Sequence, residues 1–123
     1  MASSQIKSYR DLQVWQKGMD IATDCYRLTP KFPQEERYGL TSQIRRASTS
    51  IPANIAEGYG RESKGEYIQF LRYAQGSLKE LETHLLLAAR VEITTTAVIH
   101  PTLSQCDSLG KMLRSLIRSL QNS

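Results

Sequence analysis

The stretch Glu35–Gly60, EERYGLTSQIRRASTSIPANIAEGYG, decides how the chain is read. Leu40, Ile44, Ala47, Ile51 and Ile55 recur at steps of three and four, the period of one face of a helix. Glu35 and Glu36 stand near its beginning, where carboxylates favour the positive helix end. Pro52 falls inside the pattern and removes one backbone donor. A bend near Thr49 and Ser50 is preferred to a break, because the stripe stays in phase from Ile51 to Ile55. The two hydroxyls can satisfy nearby carbonyls. Gly58 and Gly60 then supply helix-ending conformations.

The flanking segments repeat this logic. Before it, Leu12, Trp15, Met19, Ala22 and Tyr26 fall on one helical face, with Ser8 and Asp11 as a cap and Thr29-Pro30-Lys31-Phe32-Pro33 as a stop. After it, Tyr67, Leu71, Ala74, Leu78, Leu81, Leu85 and Ala88 alternate steps of four and three without a slip. That is the heptad seam of a left-handed bundle, and it predicts a helix from about Lys64 to about Arg90. Ser63 and Glu66 form a capping-box pair at its start. A fourth stripe runs through Leu103, Cys106, Leu109, Leu113, Leu116, Ile117 and Leu120. Its start is open: Thr94, Thr95 or Thr96 could cap it with Pro101 inside the first turns, or Pro101 could itself be the first helical residue. No segment reads as a strand. The fold class expected is all-α, an antiparallel up-down four-helix bundle over residues 9–121 behind a short tail, 1–8.

At 123 residues, 40% hydrophobic and 23% charged, the chain has the size and balance of one globular domain. The longest apolar run, Leu85–Ala89, is too short for a bilayer, and the N-terminus lacks the basic start and apolar run of a signal peptide. A cytoplasmic location and no membrane partner follow as expectations. Cys25 and Cys106 then read as reduced core thiols.

No arrangement of residues suggests a reaction. His84 and His100 have no second ligand at metal spacing, and Glu80 and His84 form a pair that occurs once, where a di-metal bundle needs two Glu-x-x-His units. Gly58–Gly65, GYGRESKG, has glycines and a lysine but follows a helix and lacks the Gly-Lys-Ser/Thr order of a phosphate loop. No cofactor, metal, small-molecule substrate or catalytic residue is expected, and the chain is read as not an enzyme.

Two surface features remain. The net charge is +4, which permits a polyanionic partner. Lys111, Arg114 and Arg118 share one stripe of the last helix with only Asp107 among them. A solvated face is the ordinary reading, yet the interleaved acids of such a face are missing. Arg45 and Arg46 flank the apolar stripe of the second helix. They suit ion pairs to Glu57, Glu80 or Glu82, or a partner, in preference to direct phosphate contact. The second helix also carries a stripe of small residues, Ser42, Thr49, Ala53, Ala56 and Gly60, nearly opposite its apolar face. Contacts on both sides suggest a subunit interface, with Asn54 at the edge as a register-fixing amide.

Taken together, YRDLQVWQKGMDIA, FPQEERYGLTSQIRRASTSIPANIAEGYGR and FLRYAQGSLKELETHLLLA resemble the four-helix-bundle proteins encoded by intervening sequences of bacterial 23S ribosomal RNA genes. The likeness spans about residues 9–120 and rests on Trp15, Pro33, Arg37-Tyr38-Gly39-Leu40, Arg45-Arg46, Ile51-Pro52, Asn54 and Glu57-Gly58, in order and at matching spacings. It implies an up-down bundle assembled as a homo-oligomer, a pentamer. It also implies kinship to the accessory variability determinant proteins of diversity-generating retroelements, basic pentamers that bind RNA and a reverse transcriptase. The chain departs from the family pattern over Ile93–Ser108, where Thr, His, Pro and Ser replace a Glu-rich stretch. The function expected is a non-enzymatic oligomeric bundle. Its basic surface (Arg45, Arg46, Lys111, Arg114, Arg118) engages RNA or a nucleic-acid-handling protein, and Ser42, Thr49, Ala53, Asn54 and Ala56 form the oligomer interface. The alternative is a structural or protein-interaction module whose charges only solubilise.

Overall fold

Leu71, Ala74, Leu78, Leu81, Leu85 and Ala88, the seam read from the sequence, are all buried at the centre of a four-helix bundle. The computed structural model describes residues 5–123. Its helices are α1 (Gln13–Leu28), α2 (Leu40–Tyr59), α3 (Lys64–Arg90) and α4 (Thr96–Gln121). α1 and α3 each pack on α2 and α4, so α1 faces α3, and α2 faces α4, across the diagonals. Short connections make neighbours antiparallel. Two bonds tie the ends. Arg45 Nε, early in α2, donates to Thr29 Oγ1 just past α1 at 2.9 Å. Lys64 Nζ, opening α3, donates to the Ser123 carbonyl beyond α4 at 2.7 Å. No strand occurs among the described residues.

The first helix buries a different face from the one its largest residues mark. Val14, Gly18, Ile21, Ala22, Cys25 and Leu28 point inward. Of the predicted stripe only Ala22 is buried; Met19 is 42% exposed and Tyr26 47%. The reason is the distance between α1 and α2. A Cβ on Gly18 would already stand 3.4 Å from Ile51 Cγ2 and Pro52 Cβ, so the seam with α2 admits only a small residue there. Met19 and Tyr26 are displaced onto the flank, while Leu12 and Trp15 are half-buried and pack against the edge of the core. The Ser8–Asp11 capping box forms, but it closes a separate 3-10 turn, Tyr9–Asp11, before α1. Of the expected tail, residues 1–4 lie outside the described residues, and Lys7 and Ser8 donate their amides to Asp11 Oδ2 at 2.8 and 3.2 Å.

α2 runs unbroken through Pro52. The hydroxyls of Ser48, Thr49 and Ser50 donate to carbonyls one turn back, at Arg45, Arg46 and Ala47, over 2.9 to 3.2 Å. Glu36 lies in a 3-10 turn, Gln34–Glu36, and its Oε1 accepts from Leu40 N–H at 3.1 Å, capping a helix whose N-cap is Gly39. Gly60 ends the helix as read, but Gly58 lies inside it. Its lack of a side chain serves α3: a Cβ there would stand 2.7 Å from Phe70 Cβ and 3.2 Å from the Tyr67 carbonyl oxygen.

α3 has the expected bounds, and Ser63 Oγ accepts from Glu66 N–H at 3.1 Å, while the Glu66 carboxylate takes the Ser63 hydroxyl at 3.3 Å. It closes with the Ile93 amide reaching the Ala88 carbonyl and the Glu92 amide reaching Ala89, at 2.9 and 3.1 Å. That 6→1 closure places Glu92 at φ 67, a conformation glycine takes more readily. The open question of α4 resolves in favour of Thr95, whose side chain accepts from Val98 N–H at 3.2 Å. Pro101 therefore sits inside the helix on its exposed side.

Candidate functional surfaces

Cys25 and Cys106 are free and fully buried. Desolvation pushes both thiols up to about 12, with the Asp24 charge adding at Cys25 and the Glu82 charge at Cys106. Neither thiol supplies a thiolate near neutrality. His84 Nε2 lies 3.5 Å from Glu80 Oε2 on α3. Among the described residues no three His, Cys, Asp or Glu side chains converge as metal ligands, and no helix is long and apolar enough to cross a membrane.

The buried thiols give stability a definite alkaline dependence. An unfolded thiol ionises near pH 9, whereas the folded one stays protonated to about 12. The contribution is therefore complete below the unfolded value and lost as pH rises through that window. Each thiol should lower unfolding free energy by about 1.4 kcal/mol per pH unit there. Urea midpoints measured from pH 8 to 11 should fall, and Cys106→Ala should remove one thiol's share of the slope. An unaltered slope would mean that the thiol is not shielded.

The first surface is a groove along α1 and α2, about 570 Å³ in volume. Trp15, Met19 and Tyr26 of α1 form one wall, and Thr49, Ala53 and Ala56 of α2 form the other. Three residues of the predicted interface stripe thus meet Trp15 at the core edge and the exposed Met19 and Tyr26 side chains. Ser42 and Asn54 are half-buried and do not line the groove. The Asn54 amide donates to the Ser50 carbonyl at 2.8 Å, so that donor is satisfied within its own helix and bridges no other.

The five predicted cations separate into two groups, because α2 and α4 occupy opposite corners. Arg45 and Arg46 form none of the ion pairs read from the sequence: Glu57 pairs with Arg61 at 2.7 Å, Glu82 with Lys79 at 3.3 Å, and Glu80 lies beside His84. Arg45 instead stacks over the Tyr26 ring at 4.8 Å, and Arg46 is exposed. Helical periodicity had placed both arginines beside the core but could not say which helix would face them.

On the other side, Arg114 joins Arg72, Gln75 and Lys79 of α3 around a groove of about 400 Å³ floored by Gly76, Leu78 and Gly110. Lys111, 3.5 Å from Asp107, and Arg118 lie one turn to either side of Arg114 along the exposed face. Arg72 and Lys79 were missed. Their spacing of seven puts them on one stripe of α3, the signal that could have found them, but only the antiparallel α3–α4 pairing sets them beside Arg114.

These features define a class: a small up-down helical bundle with an apolar groove on its α1–α2 side and a cationic groove on its α3–α4 side. The chain belongs to the 23S rRNA-intervening sequence protein family, which it matches over residues 10–115. A crystal structure of a protein of unknown function from the S23 ribosomal protein family of Bacteroides thetaiotaomicron is 28% identical to it. The two superimpose with a TM-score of 0.78, covering 85% of this chain and 97% of that one. No curated protein matches.

Proposed function

We propose that this protein is a non-enzymatic, cytoplasmic bundle that self-associates through α1 and α2 and holds RNA against α3 and α4. One observation carries the reading: the apolar and cationic grooves lie on opposite sides of the bundle. Assembly through the first would leave the second outward. Exposed Met19 and Tyr26 beside Ala53 and Ala56 give an apolar, closely approachable contact. Arg72, Lys79, Arg114 and Arg118 from two helices suit a phosphate backbone, and among the described residues only Lys79 of these four lies within ion-pair distance of a carboxylate. The family's tie to 23S ribosomal RNA genes supports RNA over other polyanions, and the resemblance supports a pentamer.

Light scattering coupled to size exclusion, followed by gel shift on a structured RNA, tests both halves. Three phosphate contacts per protomer should weaken binding about 20- to 40-fold between roughly 50 and 200 mM salt. A monomer, or an affinity indifferent to salt, would end the respective half of the proposal.

A further inference from the structure

We infer that Arg45 and Arg37 form a seat for a phosphate monoester or pyrophosphate at the end of the bundle where the α1–α2 connection turns. This goes beyond the proposed RNA face, which lies on α3 and α4.

Arg45 is half-buried and already fixed on one edge and one face. Its Nε donates to Thr29 Oγ1 at 2.9 Å, and its guanidinium lies 4.8 Å over the Tyr26 ring. Thr29 is itself buried and anchored, donating its hydroxyl to the Cys25 carbonyl at 2.9 Å. Yet no carboxylate among the described residues lies within ion-pair distance of Arg45, and neither Nη has a protein acceptor there. No unpartnered side-chain nitrogen is sealed from solvent among the described residues, so the Arg45 Nη groups stay open to an anion entering from water. A guanidinium held at its Nε edge keeps its two Nη groups for a pair of oxygens.

Arg45 borders a hollow of about 400 Å³ whose wall also carries Arg37, Gln34 and Thr41. No acidic side chain lines it, and the neighbouring Glu36 carboxylate is engaged in capping Leu40 N–H at 3.1 Å. Two guanidinium groups, an amide and a hydroxyl, with no acid among them, match an anion of two charges and several oxygens. A phosphate monoester or pyrophosphate meets that description. A backbone phosphodiester or a carboxylate carries one charge and would leave one arginine unanswered.

Calorimetric titration of the full chain with inorganic pyrophosphate tests the seat. Arg45→Met and Arg37→Met should each weaken binding by about 10-fold or more, a loss of roughly one decade per lost charged partner. Arg45→Lys, which keeps the charge without the fork, should fall between. Thr29→Val, which removes only the anchor, should weaken binding less than Arg45→Met. A short RNA with a 5′-phosphate binding at least about 10-fold tighter than its 5′-hydroxyl form would assign the phosphate to an RNA end. Equal RNA affinities with pyrophosphate binding retained would assign it to a free phosphate compound. Absent pyrophosphate binding, or binding undiminished in both methionine variants, would overturn the seat. So would an Arg45→Met protein with altered subunit number and unchanged pyrophosphate affinity, since the guanidinium would then answer a carboxylate of a second copy. Arg37 is exposed, so Arg37→Met decides the matter even where Arg45→Met fails to fold. Loss of RNA binding through Arg72 and Arg114 is a separate result and leaves the seat standing.

Discussion

Gly58→Ala is expected to lower the unfolding free energy by about 3 kcal/mol, the upper end of what overpacking a tight site costs. The added methyl would meet Phe70 Cβ at 2.7 Å and the Tyr67 carbonyl at 3.2 Å, a stiff side-chain root and a backbone atom. Neither can swing away, so α3 must shift along its seam with α2. Gly76→Ala gives the opposite sign. Its Cβ would find nothing within 4 Å, so the variant should gain up to about 1 kcal/mol of helix propensity. Urea unfolding of the two variants beside the parent, with equal slopes, measures the difference. A Gly58→Ala protein as stable as the parent would mean that α2 and α3 do not approach this closely.

Reversing charge at Arg72 and Arg114 together is the second large effect. The Arg72→Glu/Arg114→Glu protein should lose about 100-fold or more in RNA affinity. Its dependence of log affinity on log salt should flatten by about two, one for each phosphate contact removed. Both positions are exposed, so far-ultraviolet circular dichroism should not change. Arg46→Glu, across the diagonal on α2, should leave affinity within about threefold, because it changes only a distant screened charge. RNA binding untouched by the double reversal would favour the interaction-module reading, in which these charges serve solubility.

Much of the architecture was written in spacing. The 4-3 alternation from Tyr67 to Ala88 could bury itself in only one way, and the residues it marks are the buried ones, apart from half-buried Tyr67. The α2 stripe kept its phase through Pro52, and the helix is continuous there. α1 misled because periodicity weights large residues. Both Leu12/Trp15/Met19/Ala22/Tyr26 and Val14/Gly18/Ile21/Cys25/Leu28 have helical spacing, and only the neighbour's proximity chooses between them. The surfaces were half legible for the same reason. The small-residue stripe of α2 was visible, but Met19 and Tyr26, which face it from the surface, were assigned to the core. The basic stripe of α4 was visible, but its companions Arg72 and Lys79 belong to another helix.

What the sequence determined alone was the number of helices, the bounds of α3 and the inward face of α3 and most of α2 and α4. A repeating apolar pattern needs only its own chain to declare a face. What the tertiary structure decided was which flank of α1 stays wet, why Gly58 has no side chain, and which cations share a groove. Those depend on the separation and direction of neighbouring helices. Such distances are set by packing between residues far apart in the chain, and no local spacing encodes them.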